Sequence, residues 1–513
     1  MQDKPFLPLI ISMFFLLFLA ISSFAIVAIA APYIVSDLGG DRYISTYGLS
    51  FFGFGAAVTI PLARALGSRF GQGVVFVVSA FLFAVANLWT AAAPTFFVFV
   101  CARMLMGMAS GPMYPLFAQM ITKLLPQDHK RSLSWIMVTL FVVVPSLSAA
   151  WGGTVAYLYN WRLLFFWNAF LAAAVGSFLW YLLRGVQLLQ EFHTFDWIGW
   201  GWYAIGGLLL CFAITTAQQL DWYRSDLLLI SAIIGSIALC YALLRMSYTD
   251  SPVIDLSFFA DPMIGFSLIC LSILFGLYFA IITLLANWLT FDVRFTPTWI
   301  AVLIGQMGLA GLLPRFIIEE RLGRIHPIVW IALATILLSI SCFYTATFNE
   351  EINFGRIIFS RIVAGFGLAL FLPPIFQLLQ SECPPHRWIS LFEIFQTVRN
   401  IACALGVSIF MIIWQRRIVF YHERLNETIS HQSNAGAVYF NTYQTLHVPG
   451  SNTERLNELL DRQASSLALD DVFYVMGWIL LGLLALEIFV LSFYSSLLQL
   501  GQKWQLRAGK RIL

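Results

Sequence analysis

The sequence predicts an all-α polytopic membrane protein: about fourteen transmembrane helices in two six-helix halves, with a two-helix insert between them. The first reason is composition. Of 513 residues, 60% are hydrophobic and 11% charged, with mean hydropathy +0.82, whereas soluble domains carry ~25% charged residues. The bilayer must therefore be the solvent. The second is the recurrence of apolar runs near the ~20 residues needed to cross a hydrocarbon core: 8–31, 45–65, 73–92, 96–119, 132–156, 161–183, 197–217, 227–246, 263–287, 297–318, 327–346, 354–379, 389–414 and 472–498. The third is an internal repeat. Arg103 is followed by Gly107, Pro115 and Gln119, and Arg361, 258 residues later, by Gly365, Pro373 and Gln377 at the same offsets. An ionised side chain inside a span costs at least ~2.5–3.5 kcal/mol, so it faces a bundle interior or an aqueous path.

Taken in chain order, the first span resembles a signal peptide in having Lys4 ahead of an apolar run reaching Ala28-Ile29-Ala30. The run is longer than the usual ~7–15 residues and Ala31-Pro32 is a poor cleavage context, so it is read as a retained span. The second span ends in Pro61 and Ser68-Arg69-Phe70-Gly71, matched after the tenth by Pro314 and Glu320-Arg321-Leu322-Gly323-Arg324. Arg69, Gly71, Arg321 and Gly323 are thus assigned to turns that matter when the halves move. In the fourth span Gly107 and Gly111 have the GxxxG spacing that allows close helix approach. Pro115 and Pro373 are expected to kink their helices. The halves are placed at 1–190 and 251–513, the insert at 191–250. The stretch 415–471 is the one substantial polar loop, with an amphipathic segment near 453–467.

An even number of spans puts both termini on one side, and Lys and Arg concentrate there, among them Lys4, Arg64, Arg69, Lys130, Arg131, Arg184, Arg245, Arg315 and Arg387. That bias places both termini in the cytoplasm, so the net charge of +3 is an orientation signal rather than a nucleic-acid surface. The seven cysteines show no paired spacing and read as packing residues. The seven histidines all fall in loops, which supports neither a metal site nor an intramembrane histidine relay. No HExxH, GxSxG or P-loop is present, against an enzyme.

Specific segments carry a family resemblance. Arg103-Met-Leu-Met-Gly107-Met-Ala-Ser-Gly111-Pro112, Asp196-Trp-Ile-Gly199, Asp221-Trp222 and Ser251-Pro252-Val-Ile-Asp255-Leu256-Ser-Phe258-Phe259 resemble elements of the major facilitator superfamily, in particular its fourteen-spanner drug:proton antiporters of the EmrB/QacA type. The resemblance implies a major facilitator fold, multidrug efflux in a bacterial inner membrane, protons as coupling ion with no other cofactor, and a periplasmic adaptor or outer-membrane channel as partner. Three departures stand out. The first span has Ser22-Ser23-Phe24-Ala25-Ile26-Val27-Ala28 before Pro32, without the family's acidic residue and asparagine. The fifth has Ser148-Ala149 before Gly152-Gly153 where antiporters have Gly-Pro. Ser68 stands where an aspartate is usual.

Duplicated halves around a central site are a common construction for secondary transporters. Arg103, Arg361 and Arg399 are the candidates for substrate binding or coupling, with Gln396 and Asn400 beside Arg399. Glu393 and Glu487 are the two deep carboxylates and the candidate proton sites. Two transport readings follow: proton-coupled export of amphipathic compounds, or movement of an anionic metabolite or carboxylate siderophore in either direction, because three arginines outnumber two acids. A transport-inactive scaffold or sensor is the third reading. The partners expected are a small organic solute and the lipid bilayer.

Overall fold

In hydrocarbon every backbone N–H and C=O must be satisfied within its own segment, so uncharged runs of this length become helices. The computed structural model describes residues 6–40, 46–124, 136–184, 194–318, 324–384, 387–428 and 452–509, and every regular element among them is helical. Thirteen helices are long and apolar enough to cross a membrane, and a bent pair makes a fourteenth span.

The first six spans are α1 (Phe6–Leu38), the bent pair α2 (Tyr47–Thr59) and α3 (Leu62–Phe70), α4 (Gln72–Ala91), α5 (Phe96–Ser110) with α6 (Met113–Leu124), α7 (Val144–Leu158) and α8 (Trp161–Leu183). Next come α9 (Trp197–Thr216) and α10 (Asp226–Tyr248). The remaining spans are α11 (Pro262–Phe291), α12 (Pro297–Ala310) with α13 (Pro314–Ile318), α14 (Pro327–Thr345), α15 (Phe354–Glu382), α16 (Trp388–Thr428) and α17 (Asn452–Gly509). Within the first set α1 packs on α7, α2 on α5 and α4 on α8; within the last, α11 packs on α16 and α14 on α15 and α17. The two sets meet where α7 lies on α12 and α2 on α16.

The repeat seen in sequence is also a repeat of packing. A Cβ on Gly107 would lie 2.1 Å from the Phe52 carbonyl oxygen of α2, and one on Gly365 2.0 Å from the Met307 carbonyl oxygen of α12. In both sets a glycine one turn after an arginine lets two backbones touch.

α9 and α10 pack on each other and lean on α2, to which Trp200 Nε1 and Tyr203 Oη donate at Val58 O (2.9 Å) and Ala57 O (3.2 Å). Asp196 caps α9 through Gly199 N (3.1 Å) and accepts from Arg245 Nε of α10 (2.7 Å), closing the base of the pair. Arg245 holds the Asp196 carboxyl below its ordinary pKa. At the other end Arg416 lies 4.3 Å from the Trp222 ring.

The matched prolines differ in outcome, and one expectation needs correction. Pro115 removes the N–H that would bond Gly111, whose carbonyl accepts from Tyr114 N instead (3.4 Å), and the helix breaks at Gly111-Pro112. No matching break occurs at Pro373, because α15 runs unbroken through Pro373 and Pro374. The positions equivalent to Gly111-Pro112 are Ala369-Leu370, both strong helix formers. The polar loop at 415–471 is also shorter than expected. α16 continues to Thr428 and α17 begins at Asn452, so the segment near 453–467 is the first part of α17. Arg417 Nε on Asp471 (2.6 Å) and His422 with Asp461 (2.8 Å) tie the two extensions together.

Candidate functional site

α16 packs on α11 of its own set and on α2 of the other, which puts its Gln396–Asn400 turn between the sets. Arg399 is 2% exposed there. Its guanidinium carbon lies 4.2 Å from the Phe141 ring, 5.3 Å from Tyr114 and 5.8 Å from Phe275. Phe141 and Tyr114 come from the first set and Phe275 from α11. Phe141 is carried by a π-helical turn, Thr139–Val143, a distortion frequent at functional positions. Tyr278 Oη of α11 donates to Val142 O in the same turn (2.7 Å) and lies 2.8 Å from Ser146 Oγ, so polar contacts also cross between the sets here.

The polar groups of this turn are incompletely matched. Arg399 Nε donates to Gln396 Oε1 (2.9 Å) and Asn400 Nδ2 to Gln396 O (2.8 Å). Arg399 Nη2, Gln396 Nε2 and Thr397 Oγ1 are buried without a hydrogen-bond partner. No carboxylate pairs with Arg399 among the described residues. Ring faces offset part of the cost of burying the cation, but Arg399 Nη2 remains without a hydrogen-bond partner beside them.

Glu393 is also buried, on the same helix six residues earlier, roughly 9 Å along the axis. Its partner is Arg64 of α3, at 2.5 Å. Pro61 explains this pairing: it starts α3 at a bend of 50° from α2. The ion pair therefore joins the two sets at the end of the bundle where α1 begins. Arg64 was not singled out by sequence, since it looks like one more basic residue in a turn.

The matched arginines do not share a cavity, and this corrects the expectation that they ring one site. Arg103 is wholly buried and donates to Gly48 O (3.1 Å), Ser23 O (2.7 Å) and Phe24 O (3.3 Å). All its nitrogens are engaged, and it clamps α5 to α1 and α2. Arg361 Nη2 donates to Thr345 Oγ1 (2.6 Å) and Ser360 Oγ (2.9 Å), with Nε and Nη1 unpartnered. It faces α14 and α17 within the second set. Glu487, buried on α17, accepts from Thr335 Oγ1 of α14 at 2.8 Å.

Of the turn residues, Gly71 ends α3 at φ 92°, a left-handed conformation suited to glycine, and Arg69 is exposed. Arg321 and Gly323 lie outside the described residues. Asp255 caps a 3-10 turn, Leu256–Ala260, through Ser257 N (3.1 Å) and pairs with Arg387 Nη2 (2.5 Å), whose guanidinium covers the Phe258 ring at 4.3 Å. Burial pushes the Asp255 carboxyl up, but the Ser257 and Arg387 hydrogen bonds outweigh it and leave the group below its ordinary pKa.

A model of the Major Facilitator Superfamily matches residues 13–407. The chain belongs to the Major Facilitator Superfamily. Among curated members, the multidrug export protein EmrB of Escherichia coli (strain K12) is 25% identical over 473 residues, covering 91% of this chain and 92% of that one. The fatty acid resistance protein FarB of Neisseria gonorrhoeae is 25% identical over 434 residues, covering 82% and 85%. Among solved structures, the human organic anion transporter MFSD10 superposes with a TM-score of 0.56 at 13% identity, covering 93% of this chain and 100% of that one. A POT family transporter in complex with a thioalcohol-conjugated peptide gives 0.58 at 13% identity, over 92% and 95%. These superpositions establish the superfamily fold. Its members are transporters, and this chain is a multi-pass membrane protein of that class.

Proposed function

We propose that this protein is a secondary active exporter of amphipathic small organic molecules in a bacterial inner membrane, with both termini cytoplasmic, and that it favours molecules carrying an anionic group. Arg399 carries the reading. Its guanidinium offers unspent hydrogen bonds at the meeting of the two helix sets, and Tyr114, Phe141 and Phe275 supply apolar surface around it. A carboxylate or sulfonate would complete the arginine, while an aromatic or alkyl body would lie against the rings. One relative is named a multidrug export protein and another a fatty acid resistance protein; the first name supports the direction and the second an amphipathic anion.

Proton coupling is assigned to Glu393. Taking up a proton on its carboxylate removes the charge that holds Arg64, which loosens α3 from α16 and frees that end of the bundle to open; returning the proton restores the pair. Arg103 and Arg361 hold helices together in this scheme and do not touch cargo.

The test is flux into and out of sealed proteoliposomes, comparing an anionic and a cationic ligand of matched body with and without an imposed pH gradient. Anion flux that rises with the gradient is the expected result. Preference for the cation would return the protein to ordinary cationic drug export. No flux of either, in folded protein, would favour a scaffold or sensor.

A further inference from the structure

A groove of about 810 Å³ opens on the side of the bundle between α1, α7 and α8, and Arg399 is not among its lining residues. Its volume lies within the ~300–1,000 Å³ of small-molecule sites. Trp151, Tyr159 and Trp167 form its exposed rim, and the rest of the wall is apolar apart from Ser22, Ser148 and Asn168. Asn168 is seven residues into α8, about 10 Å from its start, so these three groups sit at hydrocarbon depth.

Many intrahelical serines bond back to a carbonyl three or four residues earlier, as Ser231 does to Leu228 and Ser177 to Ala173, the ordinary way of hiding a hydroxyl. Ser22 and Ser148, only 6% and 5% exposed, show no such bond among the described residues. Asn168, 8% exposed, donates Nδ2 to Ser23 Oγ at 2.9 Å, while the rest of its amide borders the groove. No charged side chain lines the wall. Arg103, behind Ser23, is committed to backbone carbonyls.

We propose that the groove is a second binding site, for an uncharged amphiphile taken sideways from the bilayer, with its hydrocarbon body along the α1 and α8 wall and one hydrogen-bonding group at Ser22, Ser148 and Asn168. An ionised head is excluded because nothing in the wall offsets a charge at that depth. The groove lies toward the end of α8 opposite the start of α1, which is the outer leaflet if both termini are cytoplasmic. The inference goes beyond the anion site at Arg399, and neither depends on the other.

The experiment uses the full chain in lipid nanodiscs, a long-chain alcohol bearing a photoreactive diazirine, and a sulfonate with the same chain. After irradiation the labelled peptides are mapped by mass spectrometry. The alcohol should concentrate on α1, α7 and α8 and be displaced by unlabelled alcohol, whereas the sulfonate should not. Asn168→Leu should lower alcohol labelling roughly 2- to 12-fold, the effect of one lost hydrogen bond, and Ser148→Trp should block the groove. Labelling spread equally over the bilayer-facing α9 and α10, equal labelling by the sulfonate, or labelling indifferent to Asn168→Leu in protein with unchanged melting would each overturn the proposal. If Ser148→Trp does not fold, the other two comparisons decide it.

Discussion

Replacing Arg399 tests the central site most directly, because the structure separates its expected effect on binding from its effect on folding. Arg399 donates to Gln396 Oε1, lies in hydrogen-bond reach of the Tyr114 hydroxyl, has no carboxylate partner among the described residues, and is 2% exposed. Arg399→Gln therefore leaves no buried acid orphaned, which is the main cost of removing one buried charge. Melting should stay within a few degrees of wild type. A bound anion, by contrast, loses a charge-assisted hydrogen bond worth ~1.5–3 kcal/mol, which at ~1.4 kcal/mol per decade is roughly a 10- to 150-fold loss of affinity. Arg399→Lys keeps the charge but loses the planar fork and should fall between. The assay is equilibrium binding of an anionic ligand and of its uncharged amide to purified protein. The reasoning fails if the folded Gln variant binds the anion as tightly as wild type, or if it loses anion and amide equally.

The latch makes a pH prediction: Glu393→Gln removes the ion pair with Arg64 and should flatten the pH dependence of transport, and Arg64→Gln should do the same; a wild-type pH profile in both would remove Glu393 from coupling. Arg103→Gln should lower the melting temperature more than Arg361→Gln, since it forfeits three carbonyl contacts while Arg361 already has two unpartnered nitrogens; the reverse order in detergent melts would contradict the assignment. Gly107→Ala and Gly365→Ala should each cost ~1–3 kcal/mol by forcing backbones apart, with Gly201→Ala as control because its Cβ would meet nothing within 4 Å; equal melting of all three would refute the close-crossing argument. The Asp255 carboxyl lies below its ordinary pKa, so its contribution is present above the ordinary carboxylate range of ~3.9 and lost as pH falls through the folded value. Wild type should thus melt above Asp255→Asn at neutral pH and converge with it in acid, and a gap that persists in acid would argue against it.

The span count and the duplication were legible in the sequence because both are local. A run of apolar residues becomes helix in hydrocarbon wherever it lies, and the shared offset from Arg103 to Gly107 and from Arg361 to Gly365 puts the same small residue at the same helix crossing. The sequence also marked Arg103, Arg361 and Arg399 as costly, since burial of a charge follows from its place in a span. Which of them is still unspent depends on partners far away in the chain. Gly48 and Ser23 carbonyls consume Arg103, Thr345 and Ser360 hydroxyls take part of Arg361, and Arg399 is left with ring faces from Tyr114, Phe141 and Phe275. The same holds for Glu393, whose depth was visible but whose partner Arg64 is brought to it by a bend at Pro61. Hydropathy and spacing determine which groups are buried. Only the tertiary structure decides which of them are satisfied, because hydrogen bonds act over about 3 Å and only folding brings distant residues that close.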